Sequence, residues 1–352
     1  MTSNLIPVPF KKLRTVAQIA DIHIRLFKRH EEYKESFHTL YNQLRHKDLL
    51  TDGIIVVMGD IVHAKTDMSP EMLQLASEFL NTLANIAPTL VVAGNHDLNL
   101  ANIHRLDALT PIIENLANPN LHYLKYSGVY SVADVDFAVH SILDERTKWP
   151  TLDQSEAKTK IALYHGPVYG ATTDANYTIT DRHVYVNTFA GYDMVLLGDI
   201  HKYQVLQERD EKRALPVVVY SSSLIQQNHG ENLLGHGWCL WDINTKTHTF
   251  KELPNQYGYY TLEIVNGQIT FPPQLPENVR LRLFTGDADE TVIKKMVSLL
   301  RKKYNVIELS VNRTRLIQNG KKKRVDLLEL GDLTNVNVQN SMIETWLRST
   351  HG

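Results

Sequence analysis

With 352 residues, 43% of them hydrophobic, the chain is long enough to bury a full core and to form two or three domains. A formal charge of −2 and a pI near 6.8 exclude a globally basic nucleic-acid binder, so any such contact has to use local patches. The single cysteine, Cys239, excludes an internal disulfide framework and a Cys-based zinc site, and neither a signal-peptide pattern nor an apolar run of spanning length occurs; the expectation is a cytoplasmic chain with no membrane contact.

Short, β-branched, nearly continuous apolar runs recur at Thr15 to Ala20, Gly53 to Met58, Thr89 to Ala93, Lys160 to Tyr164, Asp193 to Leu197 and Val217 to Tyr220. Such runs suit strands buried on both faces, in a sheet covered by helices or by a second sheet. Helical patterns separate the first three. In the second pattern Ser69 is the N-cap, Pro70 takes the first helical position, and Met72, Leu73, Leu75, Ala76, Phe79, Leu80 and Leu83 form a broad apolar face. The β-α-β-α-β order predicts an α/β fold with a layered core.

Beyond about residue 230, Trp238 to Asp242, His248 to Leu253 and Tyr259 to Ile264 read as a strand meander closing a first domain, 1–265. Asn266 to Glu277, with Pro272, Pro273 and Pro276, reads as a linker. A smaller α/β domain, 278–330, follows: strand Val279 to Phe284, helix Glu290 to Tyr304, strand Val306 to Val311. In the last segment, 333–352, Val338, Met342, Ile343, Trp346 and Leu347 stand at helical spacing.

Each early strand is followed at once by side chains that bind metals, the place where open α/β sheets put their sites. Asp21-Ile22-His23, Gly59-Asp60-Ile61-Val62-His63, Gly94-Asn95-His96-Asp97, Tyr164-His165-Gly166 and Gly198-Asp199-Ile200-His201 occupy five strand ends. Any one of these is weak, since a lone buried histidine is usually a packed core residue and an Asp or Asn after a strand is usually a turn former. Together they point to a two-metal phosphoesterase centre of Asp21, His23, Asp60, Asn95, His165, Asp199 and His201. Two divalent ions about 3.5 to 4 Å apart supply the nucleophile and the charge screening that phosphoester hydrolysis needs. Asp60 is the candidate bridge, and mixed imidazole and carboxylate donors suit manganese, iron or zinc rather than calcium. For Asp97 the reading is a residue that orients His96 or caps the next turn.

The series Asp21-x-His23, Gly59-Asp60, Gly94-Asn95-His96-Asp97, His165-Gly166 and Gly198-x-x-His201 resembles the calcineurin-like metallophosphoesterases. Within them it is most similar to the SbcD nucleases, bacterial and phage relatives of the meiotic-recombination-eleven nuclease. His63 after Asp60, the run Tyr220-Ser221-Ser222-Ser223-Leu224 and the trailing Gly230-Glu231 favour that branch. The resemblance implies a β-sandwich flanked by helices and a C-terminal α/β capping domain. It implies one ion held by Asp21, His23, Asp60 and His201, and a second held by Asp60, Asn95, His165 and the residue at 199. It places His96 and His63 beside the ions as catalytic residues, with His96 serving the leaving oxygen. One departure matters: where the family has Gly-His-x-His, this chain has Asp199, a harder donor for manganese or magnesium or the mark of a weakened second site.

The same resemblance implies two ions, manganese with magnesium as the alternative. It also implies double-strand exonuclease and single-strand endonuclease activity, a homodimer, and an SbcC-like SMC-type ATPase partner in DNA end processing, repair and recombination. DNA contact falls to Arg280 and Arg282, which alternate on one strand, and to Lys321, Lys322, Lys323 and Arg324; short lysine runs are also common as solvated turns. The helix bearing Met342 and Trp346 is a docking element or ordinary core packing. Residues 24–46, with Arg25, Lys28, Arg29 and the stripe Phe37, Leu40, Tyr41 and Leu44, form a helix facing a dimer partner or DNA. Two other functions fit the same centre: a phosphatase or phosphodiesterase on small phosphoesters, and a catalytically weakened DNA-binding scaffold.

Overall fold

A computed structural model describes residues 4–181, 183–272 and 274–313 of the chain. Its elements in order are β1 (Asn4–Ile6), β2 (Thr15–Ile19), α1 (His30–Leu44), β3 (Gly53–Met58), α2 (Pro70–Ile86), β4 (Thr89–Val92), α3 (Leu109–Leu116), β5 (Leu121–Tyr123), β6 (Gly128–Val132), β7 (Val135–His140), β8 (Thr159–His165) and β9 (Met194–Gly198). There follow β10 (Gln204–Gln207), β11 (Val217–Tyr220), β12 (Gly237–Asp242), β13 (Thr247–Glu252), β14 (Tyr257–Val265), β15 (Gln268–Ile269), β16 (Asn278–Phe284), α4 (Glu290–Lys303) and β17 (Asn305–Asn312). The chain divides into two compact units between Asn255 and Gln256.

In the first unit two sheets stack face to face. One has the order β1-β6-β7-β8-β9-β11-β10, the other β13-β12-β2-β3-β4-β5. Because successive side chains leave a strand on opposite faces, the unbroken apolar runs divide cleanly between layers. From β3, Ile54, Val56 and Met58 enter the core between the sheets, while Ile55 and Val57 enter the core under the helices. From β9, Met194 and Leu196 face the other sheet, while Val195 and Leu197 meet Phe189 and Trp149 on the outer side. Each such fully buried side chain contributes about 1.5–3 kcal/mol. The expected layered α/β core is therefore present, with both kinds of cover: helices on one face, a second sheet on the other.

Local chemistry starts α2 as read from the sequence: Ser69 Oγ accepts from the Met72 amide at 3.2 Å and Pro70 opens the helix. In α1 the stripe of Phe37, Leu40 and Leu44 is buried in the core of the same unit, with the Phe37 ring 4.3 Å from that of Phe79. That corrects the reading of the stripe as a partner-facing surface. Arg29 likewise is buried and pairs with Glu32 at 2.8 Å. The hairpin β6–β7, paired antiparallel from Gly128↔Val139 to Val132↔Val135, has no counterpart among the expected strands.

The second unit places β14, β16 and β17 parallel with β15 antiparallel at the edge. Here the domain reading is corrected. The strand assigned to the end of the first domain, β14, pairs along its length with β16 and sends Leu262 and Ile264 into the core shared with Leu281, Leu283, Ile293 and Leu300. The division thus falls ahead of β14, and the proline-bearing linker lies inside the second unit. α4 crosses between parallel strands and is N-capped by Asp289, whose Oδ1 accepts from Val292 N at 2.9 Å. The 333–352 segment lies outside the described residues. Among those described, no helix is long and apolar enough to cross a membrane.

Candidate metal centre

The C-terminal ends of β2, β3 and β4 in one sheet meet those of β8 and β9 in the other. Cross-links sew the two edges together. Gln18 Nε2 donates to Leu197 O at 2.9 Å, His165 Nδ1 to Met58 O at 2.5 Å, and the Asp199 amide to both Asp21 carboxylate oxygens at 3.1 Å. Asp21, His23 and Asp60 sit at φ of 53°, 52° and 52°, and Asp199 at 99°. Non-glycine residues held in that region cost about 1–3 kcal/mol each, a strain that collects at functional sites. Gly94 and Gly198 are needed for the close approach, since a Cβ on the first would fall on Asp60 Oδ1 and on the second against Met58 O.

The ligand atoms converge as three overlapping groups: Asp21 with His23 and His201, Asp21 with Asp60 and His165, and His23 with His63 and His96. His23 Nε2 lies 3.0 Å from His201 Nε2 and 3.6 Å from Asp60 Oδ2. The other oxygen, Asp60 Oδ1, lies 3.4 Å from His165 Nε2, which is 3.2 Å from Asn95 Oδ1. Asp60 thus turns one oxygen to each half of the set, the placement a bridging carboxylate requires. His201 Nε2 is 3.8 Å from Asp21 Oδ1. Asp199 lines the same cavity, of about 150 Å3, but its carboxylate belongs to none of these groups.

Hydrogen bonds behind the rings decide which nitrogen faces inward. His165 spends Nδ1–H on the Met58 carbonyl, and His201 spends Nδ1–H on Glu231 Oε1 at 2.8 Å; both leave Nε2 toward the carboxylates. His96 spends Nδ1–H on the His63 carbonyl at 2.6 Å, and its amide donates to Asp60 Oδ1 at 2.8 Å. The His23 ring contacts those of His63, His96 and His201 with centroids 5.6, 4.7 and 4.9 Å away, and Tyr33 Oη holds the His23 carbonyl at 2.5 Å.

The electrostatics are those of buried carboxylates set against histidines. Asp21 and Asp60 are 0% and 2% exposed, and among the described residues their ion-pair partners are histidines alone. Burial pushes the Asp21 carboxyl up to about 7. Burial also works against ionised Asp60, yet the charge and hydrogen bond of His165 hold its carboxyl well below the usual range, while the same pairing keeps the buried His165 protonated far above its ordinary value. Burial opposes a charge on His201, but the Glu231 bond lifts it to about 9. Burial, followed by the charge of His201, drives His23 well down. Burial, followed by the charge of Arg25, lowers His63 to about 4.

These residues fit divalent cations. The inward nitrogens of His23 and His201 sit 3.0 Å apart. Two donors about 2.1 Å from one ion at right angles to each other stand about 3 Å apart. The spacing and the mixed imidazole and carboxylate donors therefore suit a divalent cation.

Asp21, His23, Asp60, Asn95, His165, His96, His63 and His201 come together at these strand ends. Asp97 departs from its reading. Its Oδ1 accepts from the amides of Ile61 and Val62 at 3.0 and 3.1 Å and its Oδ2 from Gly94 at 2.9 Å, so it ties the Asp60 and Asn95 loops together and does not orient His96. Glu231 was legible as part of Gly230-Glu231 but carried no role, and nothing local marked Arg25 as a cavity residue. Arg280 is corrected as a DNA contact: its side chain is 4% exposed and lies 3.2 Å from Glu308 Oε1, over the rings of Tyr257 and Tyr259 at 5.8 and 5.1 Å. Arg282 is half-buried. Lys321, Lys322, Lys323 and Arg324 lie outside the described residues.

The calcineurin-like phosphoesterase family matches residues 14–203. An uncharacterized protein, R555, of Acanthamoeba polyphaga mimivirus is 39% identical over 308 residues, or 85% of this chain and 22% of that relative. The chain spans less than a quarter of the length of the curated relative it matches.

Proposed function

This chain belongs to the calcineurin-like phosphoesterase family, and from that premise we propose that it is a metal-dependent DNA nuclease, working as the nuclease subunit beside an SbcC-like SMC-type ATPase in DNA end processing, repair and recombination. The hydrolase part rests on one observation: Asp60 turns one carboxylate oxygen to the His23 side and the other to His165, at the meeting of five strand ends. In this reading Asp21, His23, Asp60 and His201 hold a first divalent ion, and Asp60, Asn95, His165 and Asp199 a second, manganese or magnesium. When bound, such ions supply positive charge against the phosphoryl oxygens and a water that ionises near neutral pH.

The chain's own residues do the rest. Water adds to phosphorus, the bond to the leaving oxygen breaks, and that oxygen needs a proton. His96 lines the cavity and, with Nδ1 tied to the His63 carbonyl, has Nε2 left to deliver it. The stitched sheet edges hold these groups in place before substrate arrives. DNA as the substrate is supported by the residues shared with the SbcD branch and by the run Arg301, Lys302 and Lys303, exposed at the end of α4.

A second reading, a phosphodiesterase on small esters, is favoured by the burial of Arg280 beside Glu308, which leaves fewer cations for a phosphate backbone. End-labelled linear duplex and a chromogenic phosphodiester, each incubated with and without manganese and with the ATPase partner added, separate the two. Manganese-stimulated cleavage of duplex supports the nuclease; hydrolysis of the small ester with duplex left whole in every condition overturns it.

A further inference from the structure

Among the described residues, six buried side-chain nitrogen or oxygen atoms have no hydrogen-bond partner, and three of them, His23 Nδ1, His63 Nδ1 and Arg25 Nε, belong to residues lining one small cavity. The two histidines fall within the reading already given. Arg25 does not. Its position follows from the backbone: Ile24 bridges Val62 and the His63 amide donates to Ile24 O at 2.9 Å, so the chain after His23 runs alongside the chain after Asp60. His30 Nε2 bonds the Arg25 carbonyl at 2.7 Å and fixes the turn that follows.

The guanidinium is held but not neutralised. Nη1 donates to His63 Nε2 at 3.1 Å and Nη2 to the Gln227 carbonyl at 3.3 Å, both uncharged acceptors, while Nε–H is buried without one. Among the described residues no carboxylate pairs with Arg25, in contrast to Arg29 and Glu32 nearby. A half-buried cation lacking a counter-ion is costly unless an anion completes it. A guanidinium does not give up its proton, and its planar fork matches the oxygens of a phosphoryl group.

We propose that Arg25 is a substrate-binding residue that grips a non-bridging oxygen of the scissile phosphate across the cavity from the Asp60 and His201 ligands. This rests on the phosphoester-hydrolase reading of the same centre, and it makes the substrate's phosphoryl anion the counter-ion of Arg25. A second effect follows from the same bond. Because Arg25 can only donate, His63 Nε2 accepts and the His63 proton stays on Nδ1.

The test uses the full chain loaded with manganese, with inorganic phosphate as the probe in calorimetric titration and bis(p-nitrophenyl) phosphate as the turnover substrate. Arg25→Ala should weaken phosphate binding by about 10- to 100-fold, the worth of one charge-assisted hydrogen bond, and raise KM with metal content unchanged. Arg25→Lys, keeping the charge without the fork, should recover part of the loss. Arg25→Gln, which still reaches His63 but carries no charge, should bind phosphate as weakly as Arg25→Ala and covers the case in which alanine upsets the fold. Phosphate affinity equal to wild type in the folded Ala or Gln variant overturns the proposal. A wild-type chain that binds phosphate through Arg25 yet turns over no ester sinks the hydrolase reading instead, so the two failures are distinguishable.

Discussion

His201 is aimed by Glu231. The carboxylate Oε1 accepts the Nδ1 proton at 2.8 Å, while its Oε2 accepts the Gln227 amide at 2.7 Å, so the glutamate is itself anchored and the ring cannot swing. What faces Asp21 and His23 is then Nε2. Carboxylates of this kind fix the tautomer of a ligating imidazole and raise its basicity. Replacing Glu231 with Gln should cost about 10- to 100-fold in metal affinity or activity, with the fold retained. Equilibrium dialysis against manganese, paired with circular dichroism, measures both.

Removal of His96 addresses the proton and not the metal. His96→Ala should lower kcat on a phosphodiester by about 10²- to 10⁴-fold, the range for losing a general acid, with bound metal per chain unchanged. Retained DNA or ester cleavage in that variant takes His96 out of the catalytic role.

Asp60 and Asp199 should behave differently under the same measurement. Asp60 faces both halves of the ligand set, so Asp60→Asn should reduce metal content at both sites. Asp199 lines the cavity and in the proposed assignment serves the second ion alone, so Asp199→Ala should reduce metal content at the second site only, and Asp199→His should restore it. Elemental analysis after manganese loading decides; full occupancy in Asp199→Ala shows that this aspartate is no ligand.

Asp97 is the structural counterpart of these residues. With 0% exposure it satisfies three backbone amides from two loops. Asp97→Ala leaves those N–H groups buried and unpaired at about 1–3 kcal/mol each, so the melting temperature should fall by several degrees and the second group of ligands should lose its alignment. Asp97→Asn, which keeps an acceptor oxygen, should be milder.

A pH dependence of stability arises away from the metal centre, at His140. Its ring packs edge-on to Trp149, Phe189 and Tyr192 at centroid distances of 5.2, 5.4 and 5.6 Å, and burial lowers it to about 4. Between that value and the ordinary 6.5 the unfolded chain binds a proton that the folded chain does not, so stability is complete above about pH 6.5 and is lost as pH falls toward 4. The loss is on the order of 3 kcal/mol. Urea unfolding of wild type and His140→Gln at pH 7 and pH 4 isolates it as a difference: wild type should lose more than the variant, and equal losses remove His140 as the cause.

The strands and the residues that end them were legible in the sequence because both signals are local. An apolar run such as Gly53–Met58 followed by Gly59-Asp60 states in consecutive residues that a doubly buried strand stops at a polar turn, and the Ser69-Pro70 start of α2 is equally short-range. The pairing of Asp60 oxygens, the inward nitrogen of each histidine and the role of Glu231 were not legible, because each depends on a partner remote in the chain: Met58 O for His165, His63 O for His96, Glu231 for His201. The same limit explains the errors. Arg280 looked like a surface cation until Tyr257, Tyr259 and Glu308 closed over it, and β14 looked like the last strand of one domain until its pairing with β16 placed it in another. Sequence alone therefore determined the donor inventory and the strand ends that carry it; only the tertiary structure decided which donors share a cation, which cations remain unneutralised, and where one core ends and the next begins, since those depend on burial and on hydrogen bonds between segments that meet only on folding.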